Sequence, residues 1–120
     1  LVPWEILANI NHSFYLCDTK RWFLRYIGGL LYTELSVPSS FINYSICAQR
    51  LNLPKDSYGY WDLHIKVDRV HGRWMVDDVA IPLVNSYKNN CWEILWGYDQ
   101  QKHFSARAGR AMLRECRNAD

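Results

Sequence analysis

This chain has no run approaching the roughly 18 consecutive apolar residues that a membrane-spanning helix needs, so no membrane span is expected. It lacks CxxC and every other cysteine or histidine spacing typical of zinc sites, so no metal is expected. It holds no P-loop, dinucleotide fingerprint or nucleophile elbow, which leaves no local catalytic signature and no implied cofactor. Its net charge is only +2, too little to point to nucleic acid. There is no internal repeat and no low-complexity segment. The chain opens at Leu1 rather than methionine, as a processed or trimmed product would.

What is present is ordinary globular composition with a surplus of rings. Of 120 residues, 49% are hydrophobic and 22% charged, with six Trp and eight Tyr. One domain over 1–120 is the simplest organisation, and the rings are expected mainly in its core. The four cysteines, Cys17, Cys47, Cys91 and Cys116, permit two disulfides, preferably Cys17–Cys47 and Cys91–Cys116. Oxidised cysteines would place the protein in the periplasm or outside the cell; buried free thiols would fit the cytoplasm.

Residues 59–81 carry the strongest local pattern. Trp61, Leu63, Ile65 and Val67 alternate with Asp62, His64, Lys66 and Asp68, a period of two that predicts a strand. His71-Gly72 would then be a hairpin turn. Counting across it pairs Lys66 with Asp77 and leaves Asp78 as the one carboxylate on an inward apolar face. His64 and His71 have no spaced second ligand in this register, and His71 is a turn residue.

Helices are expected elsewhere. Leu7, Ile10, Phe14 and Cys17 form a stripe over 4–17. A second helix starts after Asp18 or Thr19 and meets Gly28-Gly29, which marks either a close helix crossing or the helix end. Residues 30–37 are helix or strand. A third helix fits 40–52, a loop follows to Tyr58, another covers 82–90, and Cys91–Trp96 reads as a third strand. A final amphipathic helix covers about 100–117. It buries Phe104, Ala108, Ala111, Met112 and Cys116, and it presents Arg107, Arg110, Arg114 and Arg117 without carboxylate partners.

The segment Gly72-Arg73-Trp74-Met75-Val76-Asp77-Asp78-Val79 resembles the last strands of nuclear transport factor 2-like proteins, in particular small bacterial envelope proteins. The resemblance covers residues 59–81 and implies a cone-shaped α+β roll. The expected fold is therefore α+β: N-terminal helices on a small curved antiparallel sheet, closed by a C-terminal helix.

Two functions follow. The first is a non-catalytic protein-binding module, such as a small bacterial immunity or inhibitor protein that blocks a toxin or effector. It would use the arginine stripe against an acidic partner surface, and a homodimer is compatible with it. The second is a small-pocket enzyme or ligand binder of the nuclear transport factor 2-like type. In it Trp61, Ile65 and Trp74 line the pocket, Asp78 acts as base, and His64 or Tyr60 assists.

Overall fold

The computed structural model describes residues 2–118, and among these there is no strand. Five α-helices follow one another: α1 (Trp4–Asp18), α2 (Phe23–Arg50), α3 (Gly59–Trp74), α4 (Ile81–Ser86) and α5 (Trp92–Asn118). The expected α+β fold is thus overturned, and with it the likeness to the nuclear transport factor 2-like strands. Among the described residues, no helix is long and apolar enough to cross a membrane.

The hairpin segment is a helical rod. α3 continues through a π-helical stretch, Met75–Ala80, into α4. Trp61, Ile65, Asp68 and Gly72 recur at 4-3-4 spacing on its inner side, while Leu63 is 57% and Trp74 54% exposed. The inward face therefore contains a carboxylate and a glycine, and apolar side chains are left outside. A hydrophobic count along the chain therefore misassigns part of that helix's inner face. Lys66 and Asp77 lie eleven residues apart on one rod, about 16 Å, and do not pair. The π stretch ends beside Pro82, the second residue of α4. Proline offers no N–H to a regular helical ladder, and a widened turn accommodates it.

α2 is the central element and runs unbroken for 28 residues, about 42 Å, in a molecule of 50 × 31 × 19 Å. Residues 30–37 are helical, and the two separate helices expected around them are one. Pro38 lies inside it. Proline cannot donate to the carbonyl of Glu34 four residues back, so the ladder lacks a rung there. The Ser39 and Ser40 hydroxyls both donate to the Ser36 carbonyl, at 2.9 and 3.2 Å, beside this break. α2 ends in a Schellman motif. Asn52 takes a left-handed φ of 54°, and the Leu53 and Asn52 amides donate to Ala48 and Gln49 carbonyls at 3.0 Å.

The first half of α2 packs on α5 and the second half on α3. Gly28 and Gly97 make the first contact possible: a Cβ on Gly28 would strike the Ile94 carbonyl, and one on Gly97 the Arg25 carbonyl. Arg25 donates to Glu93 at 2.9 Å across the same interface and stacks on Trp22. α1 runs antiparallel to α5. The segment expected as a third strand, Cys91–Trp96, is the start of α5, and most of the 82–90 loop is α4 and the turn after it.

The core is thin and aliphatic: Leu16, Leu24, Ile27, Leu31, Ala48, Ile94, Ala108 and Ala111 are buried. The rings are not its main content, since Trp4, Trp74, Trp92 and Trp96 are each half exposed or more. Leu7, Ile10 and Phe14, the expected inner stripe of α1, face outward, as do Met112 and Cys116 of α5. All four cysteines are free, Cys91 partly covered and the others exposed, so neither expected disulfide forms and no thiol is fully buried.

Candidate metal centre

In a helix, residues at i, i+4 and i+7 share a face. His64, Asp68 and His71 have that spacing on α3. Antiparallel to them on α2 stands Glu34. Asp68 is 5% exposed. The His71 Nδ1 atom lies 3.5 Å from Asp68 Oδ1 and 3.5 Å from Glu34 Oε2. Ligand atoms of these three residues all fall within 4.8 Å of one another. Glu34 Oε2 is buried and has no hydrogen-bond partner.

Local sequence explains the approach. Gly72, beside His71, is buried against α2; a Cβ there would lie 3.0 Å from Leu35 Cδ2 and 3.5 Å from the Glu34 carbonyl oxygen. That carbonyl is the one Pro38 leaves without its helical partner. Further along, Ser45 Oγ donates to Asp62 Oδ1 at 2.6 Å and accepts from Gln49 Nε2 at 3.1 Å, pinning the two helices in register.

Two carboxylates and an imidazole, with no thiolate, suit iron, manganese or zinc. A carboxylate-x-x-His on one helix facing a glutamate on the next is also how four-helix carboxylate proteins present metal ligands. A buried carboxylate oxygen with no hydrogen bond, its facing nitrogen being His71 Nδ1 at 3.5 Å, is costly unless a cation takes it up. The donor set and the orphaned oxygen therefore fit a metal ion, contrary to the expectation of none.

His64 lies one turn before Asp68, outside the three-residue cluster. Its Nδ1 is 2.8 Å from the Tyr60 carbonyl. A carbonyl only accepts, so Nδ1 carries a proton, and in the neutral ring this leaves the Nε2 lone pair free. Phe41 and Tyr60 pack against its ring at centroid distances of 6.0 and 4.0 Å.

The other expected site residues do not converge. Trp61 and Ile65 face α2, whereas Trp74 and Asp78 are exposed. Trp61 and Asp78 are seventeen residues apart on the rod, about 25 Å. Asp78 has no apolar pocket, and Tyr60 is 61% exposed. The arginine stripe is not unpartnered: Arg107 stacks over Trp4, and Arg114 lies 3.5 Å from Glu5 of α1 and 3.4 Å from Glu115. Arg110 and Arg117 are exposed.

A cleft of about 420 Å³ separates α1 from α2 and α5. Tyr26 and Cys17 meet in its wall. Their hydrogen bond, reinforced by burial and by the charge of Cys17, holds the Tyr26 phenol above its ordinary range.

Residues 1–101 match a haem oxygenase-like family described as iron-containing redox enzyme. The chain belongs to that family. Iron-containing redox enzymes are catalysts, so the expectation of a non-catalytic binding or immunity module is overturned. Over 89 residues the chain is also 32% identical to the nitrosourea synthase of Streptomyces achromogenes subsp. streptozoticus. That alignment takes in 69% of this chain and 17% of the synthase, so the chain spans about a sixth of that relative. No solved structure matches.

The signal for the centre was in the sequence as His64-x3-Asp68-x2-His71. A strand register sends His64 and Asp68 outward together and puts His71 in a turn, which hides a helical ligand face.

Proposed function

We propose that this chain carries the iron-binding part of a redox enzyme acting on a small organic substrate. Glu34, Asp68 and His71 are the ligands, and His64 is a fourth. The observation that carries this reading is the Glu34 Oε2 oxygen, buried without a hydrogen bond beside Asp68 and His71. Iron bound there supplies one-electron and dioxygen chemistry. The chain's own residues hold and orient. The two carboxylates bring the negative charge a divalent cation needs, and the Tyr60 carbonyl fixes His64 as the Nδ1–H tautomer with Nε2 available. Gly72 keeps α3 close enough to α2 for both helices to reach one ion. The likeness to a nitrosourea synthase supports a nitrogen-containing substrate.

Anaerobic titration of the metal-free protein with Fe(II), followed by calorimetry, tests the centre. Saturable binding is expected, and it should vanish in the Glu34→Ala/His71→Ala double variant. Equal binding by that variant would refute the assignment. His64→Ala separates ligand from packing residue. As a ligand, its loss should weaken Fe(II) binding by at least the roughly 10–100-fold typical of outer-shell partners. An unchanged isotherm would leave His64 as a ring packed between Phe41 and Tyr60.

A further inference from the structure

We propose that the cleft between α1, α2 and α5 is the organic substrate's seat, and that it takes a small molecule with an uncharged amide- or urea-like head on an apolar body. As a substrate site this rests on the iron reading; as a binding site it stands alone. The volume of about 420 Å³ lies within the range of small-molecule sites. Its lining contains Leu16, Tyr26 and Leu30 among mostly apolar walls, and no carboxylate, lysine or arginine. A permanently charged head would therefore find no partner inside.

The polar groups are ordered by Gln101, which is 7% exposed. Its Oε1 accepts from His12 Nδ1 at 3.1 Å and Ser13 Oγ at 3.4 Å, and its Nε2 donates to Asn9 Oδ1 at 3.0 Å. Gln101 is thus spent on the protein, and Asn9, Ser13 and Thr33 line the cleft beside it. Asn9 uses its oxygen on Gln101 and Ser105, which leaves its Nδ2 donors without a partner among the described residues. Ser13 and Thr33 donate to Gln101 and to the Gly29 carbonyl, which leaves their oxygen lone pairs as acceptors. One free donor group and two free acceptors complement a C=O carrying an N–H, the surface of an amide or urea.

Position agrees with this role. Leu30 lines the cleft, and Glu34 follows one turn later on the same face of α2, about 6 Å along the helix. A molecule seated with its head at Asn9 can extend towards the metal ligands along that wall.

The test is amide-resolved NMR titration of the metal-free protein with phenylurea, with ethylbenzene as the apolar control. Saturable shifts are expected at Asn9, Ser13, Gly29, Thr33 and Gln101 with phenylurea, and clearly weaker binding of ethylbenzene. Leu30→Trp, which fills the cleft, should abolish the shifts. Asn9→Ala, which removes the free donor, should weaken binding by about five- to tenfold. Absence of saturable shifts, or equal affinity for the two probes, overturns the proposal. Retained binding in folded Leu30→Trp would overturn it as well. The Glu34→Ala/His71→Ala variant should lose iron and keep phenylurea, so failure of the iron reading and failure of the cleft are read independently.

Discussion

Asp68→Asn is expected to abolish Fe(II) binding and, in the same protein freed of metal, to raise the thermal midpoint. Both effects come from one carboxylate. In the metal-free protein, Asp68 and Glu34 both crowd the His71 Nδ1 at 3.5 Å, and Asp68 is almost fully out of water. Holding two acids beside one imidazole costs desolvation and mutual repulsion. Asparagine removes one of those charges at nearly the same volume, and His71 keeps Glu34. A gain of about 0.5–2 kcal/mol is expected, the usual yield of relieving charge crowding at a functional site. The loss in metal affinity should exceed the roughly 10–100-fold seen for outer-shell changes. Iron at a hundred times its dissociation constant should add about 2.7 kcal/mol of stability to the wild type and nothing to the variant. Calorimetric melts of both proteins, with and without Fe(II), read all four quantities. A variant still stabilised by iron would mean that Asp68 is not a ligand. A variant less stable without metal would mean that Asp68 serves the fold first.

The second large effect is expected at Gly28. Alanine there directs its Cβ into the Ile94 carbonyl and to within 2.8 Å of the Tyr98 nitrogen. Both obstacles are backbone, and neither can rotate away. α2 and α5 must separate, and Gly97, which meets the Arg25 backbone in the same crossing, loses its contact too. A loss of about 3 kcal/mol, at the upper end of the usual overpacking range, is expected from urea unfolding. Gly29→Ala is the control. Its nearest neighbour would be Gln101 Cβ at 3.7 Å, an ordinary contact, and alanine favours a helix interior by about 1 kcal/mol. Adjacent glycines in one helix should thus respond with opposite signs. Equal destabilisation of both would show that the helices do not cross at Gly28.

Much of the helical content was legible. Pro3 and the apolar spacing after it placed α1, which runs Trp4–Asp18. The last helix was recognisable from its periodicity, although it begins earlier, at Trp92. The Gly28-Gly29 pair pointed to a close crossing or a helix end, and the structure shows the crossing. Residues 59–81 failed for a specific reason. Helix assignment by hydrophobicity assumes that the inner face is apolar, and α3 turns Asp62, Asp68 and Gly72 inward. Once its metal-binding groups are scored as outward, Trp61, Leu63, Ile65 and Val67 look like one side of a strand. The failure therefore fell on the part of the chain that carries the candidate chemistry, where local pattern and function conflict.

The sequence by itself determined helices towards the two ends of this chain, and it held His64, Asp68 and His71 at one-face helical spacing. Only the tertiary structure decided that Asp68 and His71 have a partner in Glu34, more than thirty residues earlier, and that Asp68 is buried while Leu63 and Trp74 are not. The physical reason is that burial is a property of contacts. α3 turns a carboxylate inward because Gly72 lets it press on α2 where Pro38 has opened the helix ladder, and that contact exists only after the chain has folded back on itself.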